Sequence, residues 1–463
     1  MILNRLRRRK PVETAGIPLS LEELGAHVLV LGTTGNGKSF STRGILKAFM
    51  RAGHPMVFVA AKQTEPETVL QLCREVGCEH RFMKISPHGP HKLHLLKHLL
   101  SYKDAYGAAE FLDRVKEIGT RGEKGKHDPF FGQLTTETTQ MGIRLPQLVG
   151  SEPTLEDLMM VVKTSPPSLE VAASEAFVEG KMGLCSQLIA HASEHYRKED
   201  EHDLKSVLTF FMQTFAGIGE KARSAPLADL TGSVGRLTSG AFRGVFDTET
   251  TVDFDAIERE RKIVVLDAPI VPRNPTNQMF QAIWLFCFQE HALRRDPRQV
   301  DKAIVLVRDE CQELVHASWD ASVTAVARSQ KLIHFDLTQH VSGLKTAFGG
   351  EGTTPETMSF IANHATVLGF GNNCHETNRL ITDLIGQKRT FQFSGGGGKG
   401  GEKPTGWYDQ ALGVSGGGVH WSETYLPHVR PEEFLSLPRG VAVMISAGRT
   451  FNGLPYHVCD FRE

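Results

Sequence analysis

Residues 32–39 read Gly32-Thr33-Thr34-Gly35-Asn36-Gly37-Lys38-Ser39, a complete G-x-x-x-x-G-K-[ST] pattern. Glycines at this spacing let backbone N–H groups turn inward around a polyphosphate. Lys38 can reach the β- and γ-phosphates, and the Ser39 hydroxyl can hold Mg²⁺. The segment therefore predicts ATP and Mg²⁺ as its ligands.

Chemistry at a γ-phosphate needs two further carboxylates, one for the metal and one to polarise the attacking water. Ala303-Ile304-Val305-Leu306-Val307-Arg308-Asp309-Glu310 supplies both after an apolar run. Asp309 is the predicted metal residue and Glu310 the predicted general base. Arg308 stands where an aliphatic residue would be usual, which predicts a strand end open to solvent. Asp267, after Ile263-Val264-Val265-Leu266, is a rival metal residue without a glutamate beside it. Gln339 ends the run Leu332–Leu337 and could sense the γ-phosphate, or be an ordinary strand-end amide. Arg328 precedes that run. Taken alone it reads as a surface residue; in a ring it could reach a neighbouring subunit's γ-phosphate. His88, His91, His94 and His98 crowd together, but His-Gly-Pro-His is a turn that no carboxylate or cysteine joins, which argues against structural zinc.

These residues need a scaffold. His27-Val28-Leu29-Val30-Leu31 is a β-type run entering the loop, and Phe40, Ile45, Leu46 and Phe49 follow at helical spacing until Gly53. Strand, loop and helix N-terminus place the helix dipole against the phosphates. Further β-type runs at 56–60, 262–266, 303–307, 332–337, 366–370 and 441–445 alternate with helical stretches. That alternation predicts an α/β fold whose mostly parallel sheet is covered on both faces. Strand signals are scarce between about 104 and 240. Phe111, Val115 and Ile118 share a helical face, and Thr154-Leu155-Glu156-Asp157 is a capping box. Residues 130–230 are accordingly predicted to form an inserted all-α domain. The flanking 21–129 and 231–463 form the nucleotide-binding domain.

Two segments look unable to build a core. Residues 1–20 carry Arg5, Arg7, Arg8, Arg9 and Lys10 and read as a solvated basic arm, with contact to acidic lipid or nucleic acid as the sharper alternative. Residues 394–418 are rich in glycine and read as a flexible loop. Trp407 and Tyr408 within it could pack back on the domain or stack on bases.

A net charge of −1 leaves no general attraction to polyanions, so nucleic-acid contact would need a local or assembled patch. No run approaches the roughly 18–20 apolar residues of a membrane span. Seven cysteines without a C-x-x-C pair read as reduced thiols of a cytoplasmic protein.

Beyond a generic phosphate loop, the ordered motifs resemble the coupling-protein ATPases of type IV secretion and conjugation, the TraG/TraD family, which sit with the FtsK/HerA hexameric translocases. The resemblance begins at Gly16-Ile17-Pro18-Leu19 and the loop. It continues through Phe130-Phe131-Gly132-Gln133, Asp309-Glu310, Ala327-Arg328 and Thr338-Gln339. Next come Asn363-His364-Ala365-Thr366, Asn373-Cys374-His375-Glu376-Thr377 and Leu384-Ile385-Gly386. Val429-Arg430-Pro431-Glu432-Glu433-Phe434 and Leu437-Pro438-Arg439-Gly440 close the series.

The resemblance implies a RecA-like P-loop NTPase. Lys38 would bind phosphate, Ser39 and Asp309 Mg²⁺, Glu310 would activate water, Gln339 would sense the phosphate, and Arg328 would act as a finger in trans. It further implies a hexameric, ATP-driven DNA translocase with relaxosome or secretion-channel partners. Two departures stand out. Family members usually begin with a membrane domain, and the loop here starts at residue 32 with no span before it, which implies recruitment to the membrane by a partner. The family's Asp-Pro-Lys-Gly type segment is here Ala60-Ala61-Lys62-Gln63, so only the lysine remains. Two other readings stand beside the conjugative motor. One is a soluble HerA-type translocase in repair or defence; the other is a nucleotide-gated docking protein without motor activity.

Overall fold

The computed structural model describes residues 17–121, 129–349, 354–395 and 419–462. Eleven strands occur in this part of the chain: β1 (Val28–Leu31), β2 (Met56–Val59), β3 (Phe82–Ile85), β4 (Ile263–Leu266), β5 (Ile304–Arg308), β6 (Leu332–Thr338), β7 (Thr366–Phe370), β8 (Gln387–Gly395), β9 (Val419–Pro427), β10 (Val441–Ser446) and β11 (His457–Asp460).

Nine of them form one sheet in the order β11-β10-β7-β1-β6-β5-β2-β4-β3. The seven from β7 to β3 run parallel, and β10 and β11 close one edge antiparallel. β1, β2 and β4 read as unbroken apolar runs because both faces are covered. Val28 and Val30 join one core with Ile45, Phe49 and Leu72, while Leu29 and Leu31 join another with Leu344, Phe360 and Ile381. A third core gathers Val57, Val59, Leu306 and Trp284. Trp284 lies on the Pro275–Arg294 helix, which is buried on every side from Gln278 to Ala292.

The chain after the phosphate loop forms two consecutive helices, Lys38–Ser41 and Arg43–Arg51, joined at Thr42. Ile45, Leu46 and Phe49 face the core as their spacing predicts, but Phe40 is 64% exposed and belongs to the surface. From Pro129–Leu148 to Glu220–Gly232 the described residues form helices and turns without a strand. Leu145, Val161, Phe177, Ile189, Val207 and Phe211 share a core of their own. The Thr154 capping box forms: its hydroxyl accepts the Asp157 N–H at 2.9 Å, and Asp157 accepts the Thr154 N–H at 3.0 Å. The helix Ala105–Thr120 buries Phe111, Val115 and Ile118.

Four strands escape the sequence pattern. β3 is half exposed, and β11 is an edge strand. β8 and β9 pair antiparallel as a separate ribbon from Gln387↔Pro427 to Gly395↔Val419. Residues 394 and 395, read from composition as loop, therefore end a strand. The remainder of that glycine-rich stretch with Trp407 and Tyr408, and the basic arm up to residue 16, lie outside the described residues, whereas Ile17 and Leu19, read as part of the solvated arm, are buried in the core with Val28 and Phe49. Among the described residues no helix is long and apolar enough to cross a membrane. All seven cysteines are free, and Cys374 alone is not fully buried.

Candidate functional site

Parallel strands deliver their C-terminal tips to one edge of a sheet, and the residues singled out above meet at that edge. The phosphate loop follows β1. Gly35 and Gly37 both take φ +90°, the left-handed conformation that turns successive N–H groups inward. Gly32 has no room for a side chain, since a Cβ there would lie 2.6 Å from the Phe370 Cβ. Lys38 is buried and its ammonium donates to the Gly32 carbonyl.

Asp309 and Glu310 follow β5. The Ser39 hydroxyl donates to Asp309 Oδ2 at 3.0 Å, and the Glu310 N–H donates to Asp309 Oδ1 at 3.0 Å. Glu310 has φ +52°, an uncommon backbone for a residue with a side chain and one that concentrates at functional sites. Its carboxylate is buried between two amides. Gln339 Nε2 donates to Oε1 at 2.9 Å, and Gln312 Nε2 donates to Oε2 at 2.8 Å. Gln312 in turn accepts the Thr338 hydroxyl at 2.7 Å, so the tips of β5 and β6 are joined twice.

The far side of the loop is held by β7. The Thr33 N–H donates to the Gly371 carbonyl at 3.1 Å, and the Asn373 N–H donates to the Thr33 hydroxyl at 3.3 Å. Asn372 Nδ2 donates to the Gln339 carbonyl at 2.7 Å. The Gly440 N–H donates to the Asn36 carbonyl at 3.0 Å. The contacts thus close a circuit: phosphate loop, Gly371–Asn373, Gln339, Glu310, Asp309, Ser39 and back to the loop.

Burial raises the Asp309 pKa, with the Glu310 charge adding to it, while Lys62, Ser39 and Lys38 pull it down. Burial lowers the Lys38 pKa, and Glu310 and Asp309 oppose that. A carboxylate pair and a buried ammonium, packed together without full compensation, suit a site that receives phosphate charge and a cation. The oxygen donors Ser39 and Asp309 suit a hard cation such as Mg²⁺. A cavity of about 210 Å³ opens beside them, lined in part by Arg43, Lys62 and Glu65. Burial, and then the Asp309 charge, push the Glu65 carboxyl up to about 7.

The other sequence candidates fall elsewhere. Asp267 follows β4, two strands away from β5, and pairs with Lys84 at 3.3 Å. The geometry therefore favours Asp309 over Asp267 as the metal residue. Arg328 is exposed at the end of the Ala317–Ala327 helix, before β6 begins. Gln339 follows the other end of that seven-residue strand, so this chain does not bring Arg328 to its own loop. Arg308 is the clear correction. It is wholly buried, not solvent-facing, because Asp320 and Asp336 pair with it. Among the histidines, His94 caps the helix Leu95–Leu100 and His98 stacks on Phe254 at 5.1 Å between ring centroids.

Sequence reasoning missed Gln312, Gly371 and Asn372. A glutamine two residues beyond the acidic pair was the only local signal for the first. The others act through backbone or through a neighbouring strand tip.

No protein-family model and no curated protein matches the sequence. Solved structures match its fold. The bacterial conjugative coupling protein TrwBdeltaN70, in an unbound monoclinic form, aligns with 100% of this chain and 92% of its own, at TM-score 0.64 and 16% identity. The plasmid coupling protein TrwB in complex with ADP and Mg²⁺ aligns over the same shares at TM-score 0.66 and 16% identity. VirB4 of Thermoanaerobacter pseudethanolicus aligns with 94% of this chain and 89% of its own, at TM-score 0.50 and 12% identity. This chain has the RecA-like P-loop fold seen in the conjugative coupling protein TrwB.

Proposed function

We propose that the protein is an ATP-hydrolysing DNA translocase of the conjugative-coupling kind, working as a hexameric ring in the cytoplasm. The observation that carries the reading is the closed circuit that joins the phosphate loop, through Ser39, to Asp309, Glu310 and Gln339. A protein that only binds nucleotide has no need of a buried glutamate aimed by two amides, and this disfavours a docking role without turnover.

Lys38 leaves the Gly32 carbonyl for the β- and γ-phosphates. Ser39 and Asp309 would hold the metal, which would offset phosphate charge. Glu310 accepts a proton from the attacking water, and Gln339 orients that water or reports the γ-phosphate to β6. Arg328 acts in trans, since it is exposed and remote from its own loop. Residues 130–230 serve as a helical module beside the motor domain.

Structures of TrwB with ADP and Mg²⁺ and with a non-hydrolysable ATP analogue support ATP and Mg²⁺ as ligands here. DNA, a ring of identical subunits, and relaxosome or secretion-channel partners are proposed from the same likeness. The test is ATP turnover with single- and double-stranded DNA, run beside native mass measurement. DNA-stimulated turnover with a ring-sized species is the expected result. Turnover that ignores DNA overturns the translocase.

A further inference from the structure

Directly beneath the catalytic circuit lies a second, fully buried polar network. Arg308, the residue before Asp309, sits at its centre with no solvent exposure. Its Nε donates to Asp336 Oδ1 at 2.6 Å and its Nη2 to Asp336 Oδ2 at 2.9 Å. Its Nη1 donates to Asp320 Oδ1 at 2.5 Å. Arg308 and Asp336 face each other in register across β5 and β6. Asp320 belongs to the first turn of the Ala317–Ala327 helix, where its Oδ2 accepts the His316 N–H at 2.7 Å.

Histidines extend the network to the other loop-bearing strands. His364, just before β7, donates from Nε2 to Asp336 Oδ2 at 2.9 Å. His334 of β6 accepts from Arg308 Nη2 at Nδ1 across 2.9 Å, and its backbone N–H donates to His27 Nδ1 at 3.0 Å. His27, just before β1, reaches the Thr324 carbonyl of the same helix with Nε2 at 3.1 Å. Each of the four strands whose tips build the circuit is therefore tied to its neighbours from below.

Stability alone is a weak account of this arrangement. Well-packed apolar residues often replace a buried ion group at no loss. What ionic groups add is geometry, because a planar guanidinium engages two carboxylates only in one orientation. Here the two strands held in register carry Glu310 and Gln339, two and three residues beyond the clamp.

We propose that Arg308 is a positioning residue for the hydrolytic site, whose bridge from Asp336 to Asp320 holds Glu310 and Gln339 at hydrogen-bonding distance. The inference rests on the ATPase reading. Arg308 does not touch the nucleotide, so it acts on turnover and leaves nucleotide affinity alone. Lysine keeps the charge but cannot span both carboxylates.

The test compares wild type, Arg308→Lys and Asp320→Asn. ATP turnover is measured beside binding of a fluorescent non-hydrolysable ATP analogue, with circular dichroism to establish folding. The expected result is kcat reduced about tenfold or more, as displacement of a reacting group by a fraction of an ångström can cause, with analogue affinity unchanged within about twofold. Asparagine retains a carbonyl oxygen for His316, so Asp320→Asn supplies the answer if Arg308→Lys does not fold. Folded variants with wild-type kcat, or with turnover and affinity falling in parallel, overturn the inference while the ATPase reading stands. A wild type that hydrolyses no ATP removes the reading and the inference with it.

Discussion

Gln339 donates to the Glu310 carboxylate across 2.9 Å and so links the tips of two adjacent parallel strands. The contact gives Gln339 a partner that its own sequence position left open. Gln339→Ala is expected to reduce kcat about tenfold or more by freeing the base to swing, while ATP binding persists. Single-turnover hydrolysis beside equilibrium nucleotide binding checks this.

Asp309 and Asp267 are separated by their partners. Asp309 meets Ser39, and Asp267 meets Lys84 at the β3 edge of the sheet. Asp309→Asn is expected to abolish Mg²⁺-dependent turnover. Asp267→Asn is expected to leave it within about twofold, because a half-exposed ion pair contributes at most about 1 kcal/mol. Metal titrations of turnover in both variants check the assignment.

Gly32 is fixed by space. A Cβ there would meet the Phe370 Cβ at 2.6 Å, and neither atom has a flexible tail to move. Gly32→Ala is expected to destabilise the fold by about 1–3 kcal/mol and to weaken nucleotide binding as the loop shifts. Urea unfolding and analogue titration measure the two effects.

Much of this site was legible in the sequence because it is local. The loop, its entering strand and the acidic pair each occupy a single short segment with its own spacing. Arg308 shows where that ends. Its charge reads as an exposed strand end until Asp320 and Asp336, 12 and 28 residues onward, are seen to close on it. Pairings set by strand order leave no mark on local pattern. The missed strands have a different cause. β3 carries Lys84 and is half exposed, and among the described residues the polar β8 pairs with β9 alone, so neither shows the apolar run of a strand covered on both faces.

Glu65 gives the site a pH signature. Burial, and then the Asp309 charge, raise its folded pKa to about 7 from the ordinary 4.5. Between those values the folded chain keeps a proton that the unfolded chain has released, so stability falls as pH rises through this window and levels off above 7. Glu65→Gln removes the charge. The variant is expected to match wild type near pH 4 and to exceed it by about 2–3 kcal/mol at pH 8. Urea unfolding at both pH values checks the sign.

The most direct test of the account is steady-state ATP hydrolysis by wild type and Glu310→Gln, with and without Mg²⁺. The account expects Mg²⁺-dependent turnover in wild type, and a loss of about 10²–10⁴-fold in Glu310→Gln as the general base is removed, with ATP still bound. Equal rates in the two proteins, or no turnover in wild type, would contradict it.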